Sequence, residues 1–358
     1  MRGLTVIVVD NTPTIRQLAA LVGLSRTTVS LALRNHPCVT RGTRELIQRV
    51  ADEQGYTIDP LVSTLMNRLR TPRRARTMEK LALLTTWDSR DGWRSGYNAQ
   101  RCFEGMSERA RKLGYEMEEF WAKEPGMNAA RLSKILHTRG IRGVIIAPLP
   151  RSKGHFSLNW QYFASATISQ SIVRPALHRC THSHYQGMQL ALRKLRQLGY
   201  KRIGFSNLLG HDERVNHGWL ASYLVYQYTL PAKQRVQPFL VEKWNRREFE
   251  KWLIKNKPDI ILSNMLTPME FALELGIDLP GEIGYASLDR QDISPFTAGV
   301  DQQPRMCGAA AVDLIVLQLQ NNEFGLPAYP KLLALEGIWR EGKTVRKQGA
   351  DRPLSTRN

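Results

Sequence analysis

The chain has 358 residues, with 51 Lys+Arg against 32 Asp+Glu, a formal net charge of +19; this length allows one small domain plus one large or two medium ones. Residues 1–80 hold 13 Lys/Arg against 6 Asp/Glu and the other 278 hold 38 against 26, so positive charge is about twice as dense at the N-terminal end, as suits a polyanionic partner bound there; solubility is reason enough for the rest. The four cysteines (Cys38, Cys102, Cys180, Cys307) are far apart with no C-x-x-C, which argues against a zinc site or a disulfide framework and suits a reducing cytoplasm.

Residues 1–13 read as an N-terminal arm. Their apolar run LTVIVV (4–9) is too short for a secretory h-region, and no run in the chain is long enough to span a bilayer, so no membrane partner is expected. From Thr14 to Asn35 the pattern predicts two short helices and a tight turn. Thr14 and Gln17 have capping-box spacing, Ile15, Leu18, Ala19 and Val22 share one face, and Gly23 closes the first helix. Ser25 caps the second, whose inner stripe is Val29, Ala32 and Leu33. Arg26, Thr27, Thr28, Ser30 and Arg34 are left to face outward. Hydroxyls, helix N-terminal amides and arginines on one short helix suit a DNA major groove, although an ordinary helical hairpin with a polar outer face has the same spacing. A third helix follows, capped by Thr40, with Leu46, Ile47, Val50 and Ala51 inward and Gly55-Tyr56 at its end.

The segment Thr14–Leu65 resembles the DNA-binding headpiece of the lactose-repressor (LacI/GalR) family. The matching residues are TI..LA...G.S..TVS..L.N, then VT..TRE, then GY, then a hinge ending in Leu65, without a gap. The resemblance implies a helix-turn-helix domain over 14–58 whose second helix enters the major groove, with base-reading positions at Arg26, Thr27 and Leu31. Most members carry Arg where Leu31 stands; Leu can touch a thymine methyl but cannot read guanine bidentately. The candidate DNA-contacting set is Thr14, Ser25, Arg26, Thr27, Thr28, Ser30, Leu31, Arg34, Thr40, Thr43, Tyr56 and Leu65. The implied partner is double-stranded DNA with a palindromic operator, bound by a homodimer.

Residues 59–79 read as a hinge helix and basic linker. Asp59 and Pro60 can start a short helix, Leu65 falls where the family places an apolar minor-groove wedge, and Arg68, Arg70, Arg73, Arg74 and Arg76 follow without an acidic residue among them. From residue 80 short apolar runs alternate with amphipathic helices: strands at 81–86, 115–120, 143–148, 163–168, 202–207, 259–264 and 283–288, helices near 100–113, 129–139, 185–198, 213–228 and 246–256. This predicts two parallel-sheet α/β lobes with a ligand cleft at the strand C-terminal ends. The region 80–346 resembles the family's periplasmic-binding-protein-like effector domain, through LRQLGYKRIGF (195–205), PDIILSN, LGIDLPGEIGYASLD (275–289) and EGIWREGKTVR (336–346). In the family this domain also forms the dimer. Residues 347–358 read as a disordered tail.

In the cleft, the loop with Trp87, Asp88 and Trp93 offers aromatic faces and a carboxylate suited to a sugar, or else core packing. Asn207 and Asn264 end strands. Arg214 neighbours Val215, the position where the family has an effector-binding Arg. Asp289 matches a family aspartate that binds ligand hydroxyls. His178, His182 and His184 lack the partners of a metal site and read as solvated surface. Neither a catalytic constellation nor a phosphate loop nor a cofactor motif is present, which argues against an enzyme. The resulting expectation is a DNA-binding transcription regulator, a repressor, controlled by a small molecule of the carbohydrate class. The alternatives are the same regulator without an effector, or a sugar-binding protein or enzyme on the same scaffold.

Overall fold

A computed structural model describes residues 13–56, 78–291 and 296–349. The expected N-terminal arm, the hinge with Asp59, Pro60 and Leu65, the basic linker and the end of the tail lie outside these residues. The chain forms two compact units, one holding the N-terminal helices together with Leu317–Phe324, which includes the last turn of a long helix begun in the other unit, and the other holding Glu79–Val316 and the chain from Gly325 on.

The N-terminal unit contains helices α1 (Ile15–Val22), α2 (Arg26–Ala32) and α3 (Arg41–Glu53). Each starts at a hydroxyl cap. Thr14 completes a capping box with Gln17, Ser25 accepts from the Thr28 amide at 3.1 Å, and Thr40 accepts from the Thr43 amide at 3.4 Å. Gly23, at φ 68°, takes the left-handed conformation that closes α1 and lets the chain turn into α2. Leu18, Ala19, Val29, Ala32, Val39, Ile47 and Ala51 form the core. Leu46, expected inward, is 44% exposed. The stripe through Ile47, Val50 and Ala51 leaves its predecessor about 100° off the buried face.

The second unit has two six-stranded sheets. In chain order its elements are β1 (Glu79–Thr85), α4 (Tyr97–Lys112), β2 (Tyr115–Trp121), α5 (Ala129–Thr138), β3 (Gly143–Ile146), β4 (Gly154–His155), β5 (Ala164–Ile168), β6 (Ile172–Arg174), β7 (His178–His182) and α6 (His184–Gln197). Then come β8 (Ile203–Leu208), α7 (Leu209–Arg214), α8 (Gly218–Thr229), β9 (Phe239–Val241), α9 (Arg246–Asn256), β10 (Ile260–Ser263) and α10 (Thr267–Glu274). The unit ends with β11 (Gly284–Ser287), β12 (Gly299–Asp301), α11 (Pro304–Asn321), β13 (Leu332–Leu335) and β14 (Ile338–Arg340). The first sheet runs β13-β7-β5-β3-β1-β2 and the second β14-β12-β11-β10-β8-β9. The pairings are parallel except β12 with β14. The central strands are buried on both faces, as sheets covered by helices on each side require.

The chain passes between the lobes three times: from β7 into α6, from β12 into α11, and from β13 into β14. Helices α4 and α11 cross closely. A Cβ on Gly105 would lie 1.9 Å from the Arg305 carbonyl oxygen, and one on Gly308 2.0 Å from that of Cys102. The helix expected near 213–228 is two helices. Asn216 and His217 take positive φ (54° and 59°) and break it, and the His217 ring bonds the buried Asp212 carboxylate at 2.8 Å. The short strands after residue 298 and the long α11 went unassigned by sequence pattern.

Candidate nucleic-acid interface and ligand cleft

In the headpiece, α2 presents a continuous face. With 100° per residue, Arg26, Ser30, Thr27 and Leu31 fall within a ~140° arc, and Val29 and Ala32 lie opposite in the core; Arg34 follows in the turn two residues past the helix end. Arg26, Thr27, Ser30, Leu31 and Arg34, with Ile15 from α1, line a concavity of about 290 Å³. Arg26 and Thr27 are exposed, and Leu31 is half-buried against the headpiece core. Arg34 turns back along the helix: its Nε donates to the Ser30 carbonyl at 2.8 Å and its Nη2 to the Ser30 hydroxyl at 2.7 Å. The hydroxyls of Thr14, Ser25 and Thr40 are engaged in capping, and those of Thr28 and Thr43 bond the cap hydroxyls at 2.9 and 2.8 Å. None of the three helices has an acidic residue in its first turn, so the positive ends of their dipoles stay uncompensated and suit phosphate. Tyr56 is half-buried against the core, and that burial raises its phenol above the ordinary range. Leu65 lies outside the described residues.

In the second unit the strand ends bring Asn207, Asn264 and Asp289 to the cleft side of the second sheet. Asn207 is fully buried. Its Oδ1 accepts from the Leu208 amide at 2.8 Å, and its Nδ2 is left without a partner. The Asn264 Nδ2 meets His211 Nδ1 at 3.1 Å, and its Oδ1 is buried without a partner. Asp289 accepts from the Asn98 Nδ2, at the start of α4, at 2.9 and 2.8 Å. Burial pushes its carboxyl up to about 6; the Asn98 bond opposes this, and the charge of Asp301 adds to it. Arg214, at the end of α7, donates to the carbonyls of Leu149, Pro150 and Arg151 in the loop after β3. Ser152 donates to the Gly210 carbonyl at 3.0 Å. These contacts join one lobe to the other.

Trp93 is 4% exposed and sits in the core, so its face cannot stack on a ligand. Asp88 points to solvent and bonds Lys123 Nζ at 2.7 Å, which lowers its carboxyl below the usual range. Trp87 donates its indole N–H to the Pro148 carbonyl at 3.0 Å. The loop after β1 is therefore held by its own lobe.

The histidines expected on solvated surface are drawn inward instead, and the reason is the chain path. His182 and His184 stand where β7 crosses into α6, flanked by the other two crossings at Gln302 and at Leu335–Gly337. His178 is buried as well, and its Nδ1 accepts from the Lys331 amide at 3.0 Å. Burial pushes the His182 ring down to about 4 and the His184 ring to about 3. His184 meets Trp219 edge-on at 4.9 Å. The Nδ1 atoms of both rings are buried without a partner, beside a cavity of about 10 Å³, the size of a single water site. Sequence reasoning missed Asn98, His211, Trp219 and Gln302. The one signal it had was the clustering of histidines at a strand end, read with the wrong exposure.

Residues 14–59 match the model of the lacI family of bacterial regulatory proteins. No curated protein matches the chain in sequence. Among solved structures, the lac repressor dimer bound to operator and the anti-inducer ONPF is similar, with a TM-score of 0.53 at 17% identity, covering 93% of this chain and 99% of that one. The complex of the transcriptional regulator CelR with cellobiose has a TM-score of 0.53 at 16% identity, covering 93% and 100%. A LacI-family regulator from Rhizobium etli, described as putative, has a TM-score of 0.57 at 16% identity, covering 75% and 99%. Among the described residues no helix is long and apolar enough to cross a membrane. The headpiece segment thus matches the lacI-family model over residues 14–59, and the two-lobed unit has the fold of the solved regulators named above.

Proposed function

We propose that this chain is a sequence-specific transcription regulator, a repressor, which binds a palindromic double-stranded operator as a homodimer and changes affinity when a small polyhydroxylated molecule occupies the cleft. The observation that carries the reading is the concavity beside the capped helix α2, lined by Arg26, Arg34 and two hydroxyl side chains, in a segment that matches the lacI-family model. Similar proteins support both partners: one was solved on operator DNA with ONPF, another with cellobiose, and a regulator from Enterococcus faecium with ribose. The cleft is consistent with a hydroxyl-rich ligand, since Asn207 and Asn264 each carry a buried polar atom without a partner. Such a ligand would satisfy these atoms and compete for Asp289. No catalytic step is assigned to the chain. The test is selection of duplexes from a random library, followed by titration of the selected complex with neutral sugars. A palindromic consensus and sugar-dependent release or tightening support the reading; failure to enrich any duplex rejects it.

A second reading, the same regulator without a small-molecule effector, is favoured by one observation. Asp289 and Arg214 are already engaged across the cleft, by Asn98 and by three carbonyls. Selective duplex binding that no sugar alters would favour it.

A further inference from the structure

We propose that Arg34 reads a guanine in the operator half-site, with Ser30 as its positioning residue, and that Leu31 beside it meets a thymine methyl. The inference rests on the DNA-binding reading and goes further by assigning the base and the side chain. Ser30 and Leu31 lie on the outer arc of α2, and Arg34, two residues past the helix end, lines the same concavity; all three are half-buried. A long arginine at the end of a short helix would ordinarily sweep a wide cone and recognise nothing in particular. Here its Nε and Nη2 are fixed on Ser30, one turn back. That places the guanidinium roughly 6 Å along the helix from Arg26, within about two base-pair steps. The plane of the fork is then set by two bonds rather than by solvent, so part of the ordering cost of recognition is already met.

The chemistry of the concavity agrees. Its lining combines two arginines and two hydroxyl side chains with the apolar Ile15 and Leu31. Guanine offers O6 and N7 as paired acceptors for an arginine fork, and thymine offers a methyl group for an apolar wall. Leu31 cannot donate a hydrogen bond, so guanine recognition at this end of the helix falls to Arg34.

The test is duplex selection with the full-length wild-type chain and with Arg34→Lys, Arg34→Ala and Ser30→Ala. The wild type is expected to enrich one invariant G column per half-site. Arg34→Lys keeps the charge and loses the fork, so it should erase that column and leave the others, with affinity for the wild-type site falling about tenfold or more. Ser30→Ala should weaken the same column alone. With wild-type protein, 7-deazaguanine at that column should reproduce the loss, a result that does not depend on how any variant folds. A column unchanged in Arg34→Lys and indifferent to 7-deazaguanine would overturn the proposal and leave the DNA-binding reading intact. Enrichment of no duplex by the wild type would overturn both.

Discussion

The headpiece and the cleft handle their polar groups in opposite ways. In the headpiece, capping closes the helix ends, and Arg26 and Thr27 at the start of α2 stay exposed beside a concavity of about 290 Å³. In the cleft, the polar side chains are turned on the protein itself: Asn98 on Asp289, Arg214 on the 149–151 carbonyls, and Ser152 on Gly210. One surface is arranged for a partner that arrives from outside. A ligand entering the other, as proposed, would exchange existing bonds for its own, and that exchange would couple occupancy to lobe motion.

The largest effect is expected from removing one region while the other is left to fold. Val29 is fully buried in a core of seven side chains, too small a core to absorb an unpaired amide. Val29→Asn is expected to abolish duplex binding while the main thermal transition of the α/β unit stays in place. Calorimetry paired with a mobility-shift assay checks this, and a joint collapse of both transitions would mean that the units do not fold independently. Gly105→Ala is the converse. Its Cβ would overlap the Arg305 carbonyl, so α4 and α11 must separate, at a cost of about 3 kcal/mol in denaturant unfolding of the α/β unit. Headpiece affinity for a half-site duplex should be unchanged.

Within the cleft, Asn98→Ala leaves the buried Asp289 carboxyl without its donor and should destabilise the closed arrangement by about 1–3 kcal/mol. Small-angle scattering would report lobe opening. An unchanged profile would show that the Arg214 contacts alone hold the lobes. A smaller effect is expected from pH. Asp289 has its carboxyl raised to about 6 in the closed protein, against an ordinary value near 3.8. A raised acid favours the protonated form, so its contribution to closure is complete below about pH 4 and is lost as pH rises through 6. Closure should therefore be weaker at pH 7 than at pH 5, and Asp289→Asn should flatten that dependence. His182 and His184, whose pKa values are lowered, act in the opposite sense: their contribution is present above about 6.5 and declines in more acidic solution. The difference between wild type and Asp289→Asn isolates the carboxyl.

How much was legible in the sequence follows from how local each cause is. The headpiece caps and stripes lie within four residues of one another, so Thr14, Gly23, Ser25 and Thr40 were readable directly. The strands buried on both faces stood out as apolar runs. Helix α11 buries one face, through Cys307, Ala311, Val312, Ile315 and Val316, but Met306 and Leu317 on its other side are apolar and exposed, so the sequence lacks the polar contrast that would have marked the stripe, and β13 is an exposed edge strand without alternation. The site residues of the cleft were harder for a different reason. Arg214 looked like a ligand group because its targets, the carbonyls of 149–151, are more than sixty residues away. Trp93 looked like a stacking face because its burial comes from tertiary packing. The histidines between β7 and α6 looked solvated because two other crossings, from beyond residue 300, cover them.

Duplex binding by the N-terminal unit through its basic residues is measured by a salt series on the selected palindromic duplex. Each phosphate neutralised should contribute about −0.9 to the slope of log K against log[salt], so a dimer making several contacts per headpiece should lose orders of magnitude in affinity between 50 and 200 mM salt. A steep slope on the palindrome, and much weaker binding to a single half-site, is the predicted result. A flat slope, or a half-site bound as tightly as the whole palindrome, would contradict the account.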